Sequence, residues 1–524
     1  MHCTCVRQTE LPGATRLYAD VLYHPDRTAR FYPHLIHDLS AFKAAAAEVR
    51  FPDDRRAALV AALRLQNPPG PSLDRLAQPG TLVVATGQQV GLFSGPAYTI
   101  YKALHAARLA EWLTANGIPA VPAFWLATED HDFAEVNHAV VFDAGHQPHR
   151  LEMRRTAGAQ PVGEVMLENP PLDELRGALA SLPFGDEVAG LVAAAYRPGV
   201  TMGQAFSRLL RRLLARFDIP QVDPMLPAFR ELAAPTMRAA VDAAPELTDA
   251  ILARSKELVD SGYHAQVHME PHTSLVFLLE GGRRLTLRRH GSEYSVNGRQ
   301  FTAAELAAQA ASLSPNALLR PVVQDSMLPT VATIGGPAEV AYLAQSAVIY
   351  RALLGRMPVA VPRTGFTILD ERSAKKLERY GVTVQDCFAG EDAFRERIAS
   401  RLIPAELARA LRDTMNRVET AVARLNTELA AFDPTLARAA ATSTRKIRHQ
   451  LSKLQAKTGR ETMRRSERAL RDASSLYGLI YPERHLQERL YSILPFLAKH
   501  GLDLIDHVYG AIELECPDHR LMVV

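Results

Sequence analysis

The stretch Thr81–Ala127 reads TLVVATGQQVGLFSGPAYTIYKALHAARLAEWLTANGIPAVPAFWLA, and its punctuation decides the fold class. TLVVA (Thr81–Ala85) is a short apolar run of the kind that forms a strand buried on both faces. A loop with glycines at 87, 91 and 95 follows. Pro96 then stands where a helix begins, because its fixed φ is already helical and its missing N–H is no loss there. Ile100, Leu104 and Ala107 keep helical spacing through Ala97–Asn116, and Gly117 is a stop signal. AVPAFWLA is a second apolar strand. Strand, glycine loop, helix and strand in this order predict a right-handed parallel crossover.

Working outward, the same layout recurs. Thr330–Ile334 predicts a strand, Gly335-Gly336-Pro337 a turn, Ala338–Leu354 a helix and Met357–Val361 another strand. GPAYTIY (95–101) and GPAEVAY (336–342) align, which suggests two equivalent corners of one sheet. Between them, 150–262 is rich in Ala, Leu and Arg and is expected to be a helical insertion. Residues 263–298 alternate and carry turn signals at Gly281-Gly282 and Asn297-Gly298, so strands and hairpins are expected there. Beyond Phe388, Leu411, Met415, Val418, Val422, Leu425 and Leu429 form a heptad seam that Pro434 interrupts; Ile447, Leu451 and Leu454 restart it. The reading is an α/β chain: a Rossmann-like core over 1–387 with connecting insertions, an α-helical coiled-coil domain over 388–501, and a segment 502–524 that returns to pair with the main sheet.

Composition bounds the function. With 47% hydrophobic and 22% charged residues, the chain is expected to fold as an ordinary globular protein. A formal net charge of +3 is too small by itself to imply a polyanionic partner, and the longest uncharged stretches, such as Thr81–Tyr101, carry Gly, Pro and paired Gln, so neither a nucleic acid nor a membrane is expected. Four cysteines without framework spacing favour a reducing compartment. MHCTCVRQTELPG lacks a basic start followed by an apolar stretch, so no secretory leader is expected and the cytoplasm is the expected location.

Three segments carry polar groups where α/β proteins place function. The Gly87–Gly95 loop, with a helix behind it, suits an anion, although its spacing matches neither a Walker loop nor the dinucleotide fingerprint; a tight structural turn is the alternative. Residues 125–138, WLATEDHDFAEVNH, put Glu129, Asp130, His131 and Asp132 after a strand. They suit acid/base work or the holding of an amine; a metal site with His138 and a turn capped by Asp132 are the other readings. In RPVVQDSMLPTVATIGGPAEVAY (320–342), Gln324 and Asp325 are expected to end a β-rich run, while Glu339 and Tyr342 share a helix face. Arg363 follows a strand and suits a carboxylate or phosphate, or a surface salt bridge. His264, His268 and His272 have helical metal spacing, but the strand-like pattern around them argues against a ligand set. Thr444–Arg471 is basic, and suits either a nucleic acid or the solvated face of a helical arm.

Together, TGQQVGLFSGPAYTIYKA, FWLATEDHDFAEVNH, GYHAQVH, RPVVQDSMLPTVATIGGPAEVAY and LQERLYSILPFLAKHG (486–501) resemble the cysteine-adding enzymes of bacillithiol biosynthesis, in order and spacing over essentially the whole chain. The resemblance implies a ligase that condenses L-cysteine with glucosaminyl-malate in the last step of that synthesis, and a homodimer held by the coiled-coil domain. Forming the amide requires activation, so ATP (or an ADP-type nucleotide) with Mg is expected, with no tightly bound metal. Clear HIGH and KMSKS signatures are missing. Catalytic candidates are Glu129, Asp130, His131, Asp132, Gln324 and Asp325, with the base left open among Asp130, His131 and Asp132. Binding candidates are Thr86, Gly87, Gln88, Gln89, Gly95, Tyr98, Lys102, Gly335, Gly336, Glu339, Tyr342 and Arg363. Another ATP-dependent ligase or nucleotidyl transferase, or a non-catalytic nucleotide- or RNA-binding protein, are the alternatives.

Overall fold

Five parallel strands make the central sheet in a computed structural model that describes residues 2–34, 38–154 and 158–524. They are β1 (Leu82–Gln89), β2 (Ala120–Ala127), β3 (Gln221–Val222), β4 (Thr330–Gly335) and β5 (Val359–Pro362), in the order β5-β4-β1-β2-β3. Helix α1 (Tyr98–Ala115) returns the chain from β1 to β2, and a later helix, Pro337–Leu353, returns it from β4 to β5. The two Gly-Pro-Ala turns are therefore equivalent corners on adjacent strands. The direction of strand addition reverses between β1 and β4, which is where open α/β sheets bind ligands. Apolar side chains of both strand faces are buried against helices, Val83 and Ala85 on one side and Val84 with Ile334 on the other.

Differences from the sequence reading have physical causes. β1 runs on to Gln89, so Gly87–Gln89 are strand residues, not loop. Gly87 permits this: a Cβ there would stand 2.8 Å from the Trp125 backbone of β2. The following turn does not open to solvent. Val90, Leu92 and Phe93 drag it into the core, where Phe93 stacks edge-on against Tyr196 at 5.0 Å. Gln324 and Asp325 do not end a strand; they lie in a helix, α2 (Arg320–Met327), begun by Pro321 in its first turn. The helix Pro337–Leu353 is α3. The expected insertion, whose residues 155–157 lie outside the described residues, is mostly helical but also supplies the edge strand β3. The histidine segment 264–272 is irregular chain, and the hairpins begin only at Thr273. They build a second, antiparallel five-stranded sheet, from Thr273–Glu280 through Leu313–Pro315.

The coiled coil is a two-helix arm, α4 (Ala405–Phe432) and α5 (Pro434–Arg464), with Asp433 capping α5 through Thr435 N at 2.7 Å. Residues 487–512 pack back on the body, where Gln487 bonds the main chain of Ile368 and Leu479. The C-terminal segment returns, but not to the main sheet. β7 (His519–Val523) pairs antiparallel with the N-terminal strand His2–Val6 and parallel with β6 (Phe366–Leu369), closing a separate three-stranded sheet. Among the described residues no helix is long and apolar enough to cross a membrane.

Candidate functional site

A cleft of about 900 Å³ opens at the carboxyl edge of β1, β2 and β4. Its floor is Gly87, Gln88 and Gln89 from β1, Gly336 after β4, and Tyr98 of α1. The turn Glu129–Asp132 after β2 forms one wall, and Glu339 and Tyr342 of α3 form another. The antiparallel sheet closes the cleft with Phe277, Arg284, Pro315 and Asn316. The three segments singled out from sequence thus converge, apart from the residues named below.

The acidic wall is organised around Gln89. Its side-chain amide donates to Asp130 Oδ2 and to Glu135 Oε2, each at 2.8 Å. Asp130 Oδ1 accepts from the main-chain N–H of His131 at 2.7 Å and faces Arg284 Nη1 at 3.5 Å. Burial would raise the Asp130 carboxyl, but the Gln89 bond, Arg284 and the main-chain donors outweigh it and hold it below the usual range. Burial and the Arg284 charge lower His131, so the ring is neutral near pH 7. Arg284 Nη1 lies 3.2 Å from His131 Nδ1. A guanidinium only donates, so Nδ1 accepts and the proton sits on Nε2. His131 therefore offers a donor, not a base, to the cleft. Asp132 accepts from Glu135 N at 3.3 Å and caps the short helix Phe133–Val136. Glu129 is buried and paired with Arg230, which also donates to Ala311 O at 2.8 Å. Glu129 anchors the turn to the helix that carries Arg230.

Lys102 is fully buried beneath the floor. Its ammonium donates to Glu339 at 2.9 and 2.7 Å, to Gln88 Oε1 at 3.2 Å and to Gly87 O. It positions Gln88 and Glu339 and does not reach the cleft. Thr86 is likewise structural, donating to Ile334 O at 3.1 Å across β1 and β4.

Neither glycine turn is a phosphate cradle. Gly95 lies in the buried turn, where Ala97 N is already bonded to Tyr491 O at 2.7 Å. The Gly335-Gly336 turn is capped by its own helix, since Glu339 accepts from Gly336 N at 2.8 Å. Gln324 and Asp325 are buried under the cleft: Gln324 holds Arg320 and Asp325, and Asp325 accepts from Tyr350 OH. Burial raises the Asp325 carboxyl, which does not line the cleft. Arg363 is neither free nor on the surface. It borders the cleft, but its guanidinium is engaged in a buried two-bond pair with Glu488 and stacks over the Tyr98 ring at 5.1 Å.

Three further arginines of the cleft, Arg284, Arg320 and Arg489, are what the sequence reading missed. Arg320 lines the cleft, donating to Tyr342 OH at 2.9 Å and Gln324 Oε1 at 3.1 Å. Arg489 is exposed at the cleft. Among the described residues neither forms a salt bridge with a carboxylate. Both sit within the motifs RPVVQDS and LQERLYS, which was the available signal. Arg284 gave none, because its hairpin reaches the site only through the tertiary fold. The cleft is thus acidic along the β2 turn and basic along α2 and Arg489.

Residues 1–364 match a model of the bacillithiol biosynthesis BshC N-terminal Rossmann-like domain, and residues 366–524 match that of the BshC C-terminal coiled-coil domain. A protein of Solibacter usitatus (strain Ellin6076) named "Putative cysteine ligase BshC" is 68% identical over 524 residues, covering 100% of each chain. A protein of the same name from Koribacter versatilis (strain Ellin345) is 36% identical over 532 residues, covering 99% of each. A third, from Symbiobacterium thermophilum, is 32% identical over 470 residues, covering 84% of this chain and 83% of the relative.

Proposed function

The chain belongs to the bacillithiol biosynthesis BshC family, and from this premise we propose that the cleft joins the carboxyl of L-cysteine to the amine of glucosaminyl-malate. The protein is a carbon–nitrogen ligase of bacillithiol synthesis, with a Rossmann-like core and a coiled-coil domain. The observation that carries the substrate assignment is the division of charge across one cleft. Asp130 and Glu135, bridged by Gln89, suit an ammonium. Arg320 and Arg489 suit the two carboxylates of a malyl group.

The chain's own groups do the following in this reading. Asp130, ionised and held by Gln89, orients the amine and offsets its charge; a carboxylate held below its usual range is a weak base, so its role is orientation. His131 Nε2–H donates to a developing oxyanion on the cysteine carboxyl. Phe277 and the antiparallel sheet limit water on that side. Activation of the carboxyl by ATP with Mg is proposed on chemical grounds. Since neither glycine turn fits a phosphate, no step is assigned through the nucleotide. The test is the purified full chain with cysteine, glucosaminyl-malate and ATP–Mg, with product detected by mass. Absence of the condensed thiol with each nucleotide tried would overturn the assignment.

We further propose a homodimer through the arm, in the cytoplasm. α4 has no fully buried residue, and Leu425, Phe432, Ile447 and Leu454 are exposed on the hairpin. A two-helix arm leaves this apolar surface half covered, and a second copy would cover it.

A further inference from the structure

Two cysteines separated by almost the whole chain meet where its ends pair. In the antiparallel pairing of the N-terminal strand with β7, Cys5 lies opposite Arg520. Cys516 sits just before β7, and its Sγ is 3.8 Å from Cys5 Sγ. Cys5 is exposed and Cys516 is half-buried, so an oxidant reaches the pair from solvent. Arg520 Nη1 donates to Cys5 Sγ at 3.0 Å, giving the solvent-facing sulfur a charge-assisted hydrogen bond. The other thiols differ. Cys387 is buried, and burial pushes its thiol well above the usual range. Cys3 is turned to the main chain, donating to Thr4 O at 3.9 Å.

We propose that Cys5 and Cys516 are a reversible disulfide site, oxidised by hydrogen peroxide and reduced by a low-molecular-weight thiol. Cys5 attacks the peroxide oxygen: the O–O bond breaks, the sulfur becomes a sulfenic acid and one water leaves. Cys516 then attacks Cys5 Sγ; the S–S bond forms, the S–O bond breaks and a second water leaves. The two thiols together lose two electrons and two protons, and the peroxide is reduced to two waters. Two equivalents of a small thiol reverse the reaction by exchange and leave as their own disulfide. The sulfurs are already 3.8 Å apart, Cys5 on the N-terminal strand and Cys516 on the segment that leads into β7, so only a local adjustment is needed. The bond ties the first strand to the last. β7 lies between this contact and β6, and Arg520 N of β7 donates to Gly365 O at 2.8 Å, two residues from Arg363 of the cleft. A chain that sets the level of a small thiol would in this way carry a mark of the thiol pool's oxidation. The chemistry of the pair stands whether or not the ligase assignment holds.

The experiment treats the reduced full-length protein with stepwise equivalents of hydrogen peroxide, blocks the remaining thiols by alkylation in denaturant, and maps the digest by mass spectrometry. Expected are an intrachain peptide pair linking Cys5 to Cys516, loss of two of the four titratable thiols, and recovery of both on adding excess cysteine. The oxidised protein should melt above the reduced one. Cys3→Ser should keep the link, and Cys516→Ser should abolish it while leaving a sulfenic acid at Cys5 that dimedone traps. A link through Cys3, links only between molecules, or four alkylated thiols after peroxide would each overturn the proposal.

Discussion

Arg363 and Glu488 are the sharpest test of the site's architecture. Their side chains are 4% and 3% exposed and share two hydrogen bonds, one of 2.8 Å; Glu488 also accepts from Phe366 N at 2.9 Å. The pair joins the Rossmann-like core to the C-terminal part of the chain. Replacing Glu488→Gln keeps the shape but leaves a buried guanidinium uncompensated, which costs about 3–5 kcal/mol in comparable pairs. Unfolding entropy of about 2.1 cal/mol/K per residue gives a chain of this length roughly 1.1 kcal/mol per kelvin, so the melting midpoint should fall by about 3–4 °C if the body melts as one unit. Arg363→Met should cost a similar amount through the stranded carboxylate. The double change Arg363→Met with Glu488→Met removes both charges and should cost clearly less than the sum of the two singles, with a coupling of about 2 kcal/mol or more. Calorimetry or circular dichroism at neutral pH on the four proteins measures this cycle. Additive losses would refute the claim that each charge is balanced chiefly by the other.

Three further outcomes are expected. Asp130→Asn should lower kcat/KM by about a hundredfold or more while leaving the melting midpoint within a degree or two, since the group is part-exposed and Gln89 can still bond it; near-normal activity removes Asp130 from the amine's site. Arg320→Met should raise KM for the malyl substrate by about tenfold or more with a smaller change in kcat, because a charge-assisted bond contributes about 1.5–3 kcal/mol; an unchanged KM would move the anion side elsewhere. Burial lowers His105, His146 and His519 to about 4, in His519 outweighing the nearby Glu488 carboxylate. The unfolded side chain titrates near 6.5, so the folded state binds fewer protons, and stability present above about pH 6.5 is lost as pH falls toward 4; a melting midpoint flat across that window would show these rings to be accessible.

Much of the core was legible in the sequence because its signals are local. An apolar run, a Gly-Pro turn and a helical period each depend on neighbours a few residues apart, and they gave β1, α1, β2, β4, α3 and β5 to within a few residues. The hairpins at Gly281-Gly282 and Asn297-Gly298 were legible for the same reason: glycines at both turns and Asn297 hold positive φ, which these residue types tolerate. The acidic turn after β2 was placed at the cleft by its position at a strand's carboxyl end. Family membership, too, was legible in the motifs together with their order and spacing.

Which groups face the cleft was decided only by the tertiary structure. Gln324, Asp325, Lys102 and Arg363 are polar residues in motif segments, and nothing local separates a group that meets a substrate from one that holds its neighbour. Burial partners far along the chain decide it: Tyr350 for Asp325, Glu339 for Lys102, and Glu488 for Arg363. The turn at 90–95 is internal because Tyr196 and Tyr491, distant in sequence, cover it. Arg284 reaches Asp130 only because a whole antiparallel sheet docks over the parallel one. A residue's chemistry is written in its side chain, but its solvation and its partners are set by contacts between distant segments, which no short window of sequence contains.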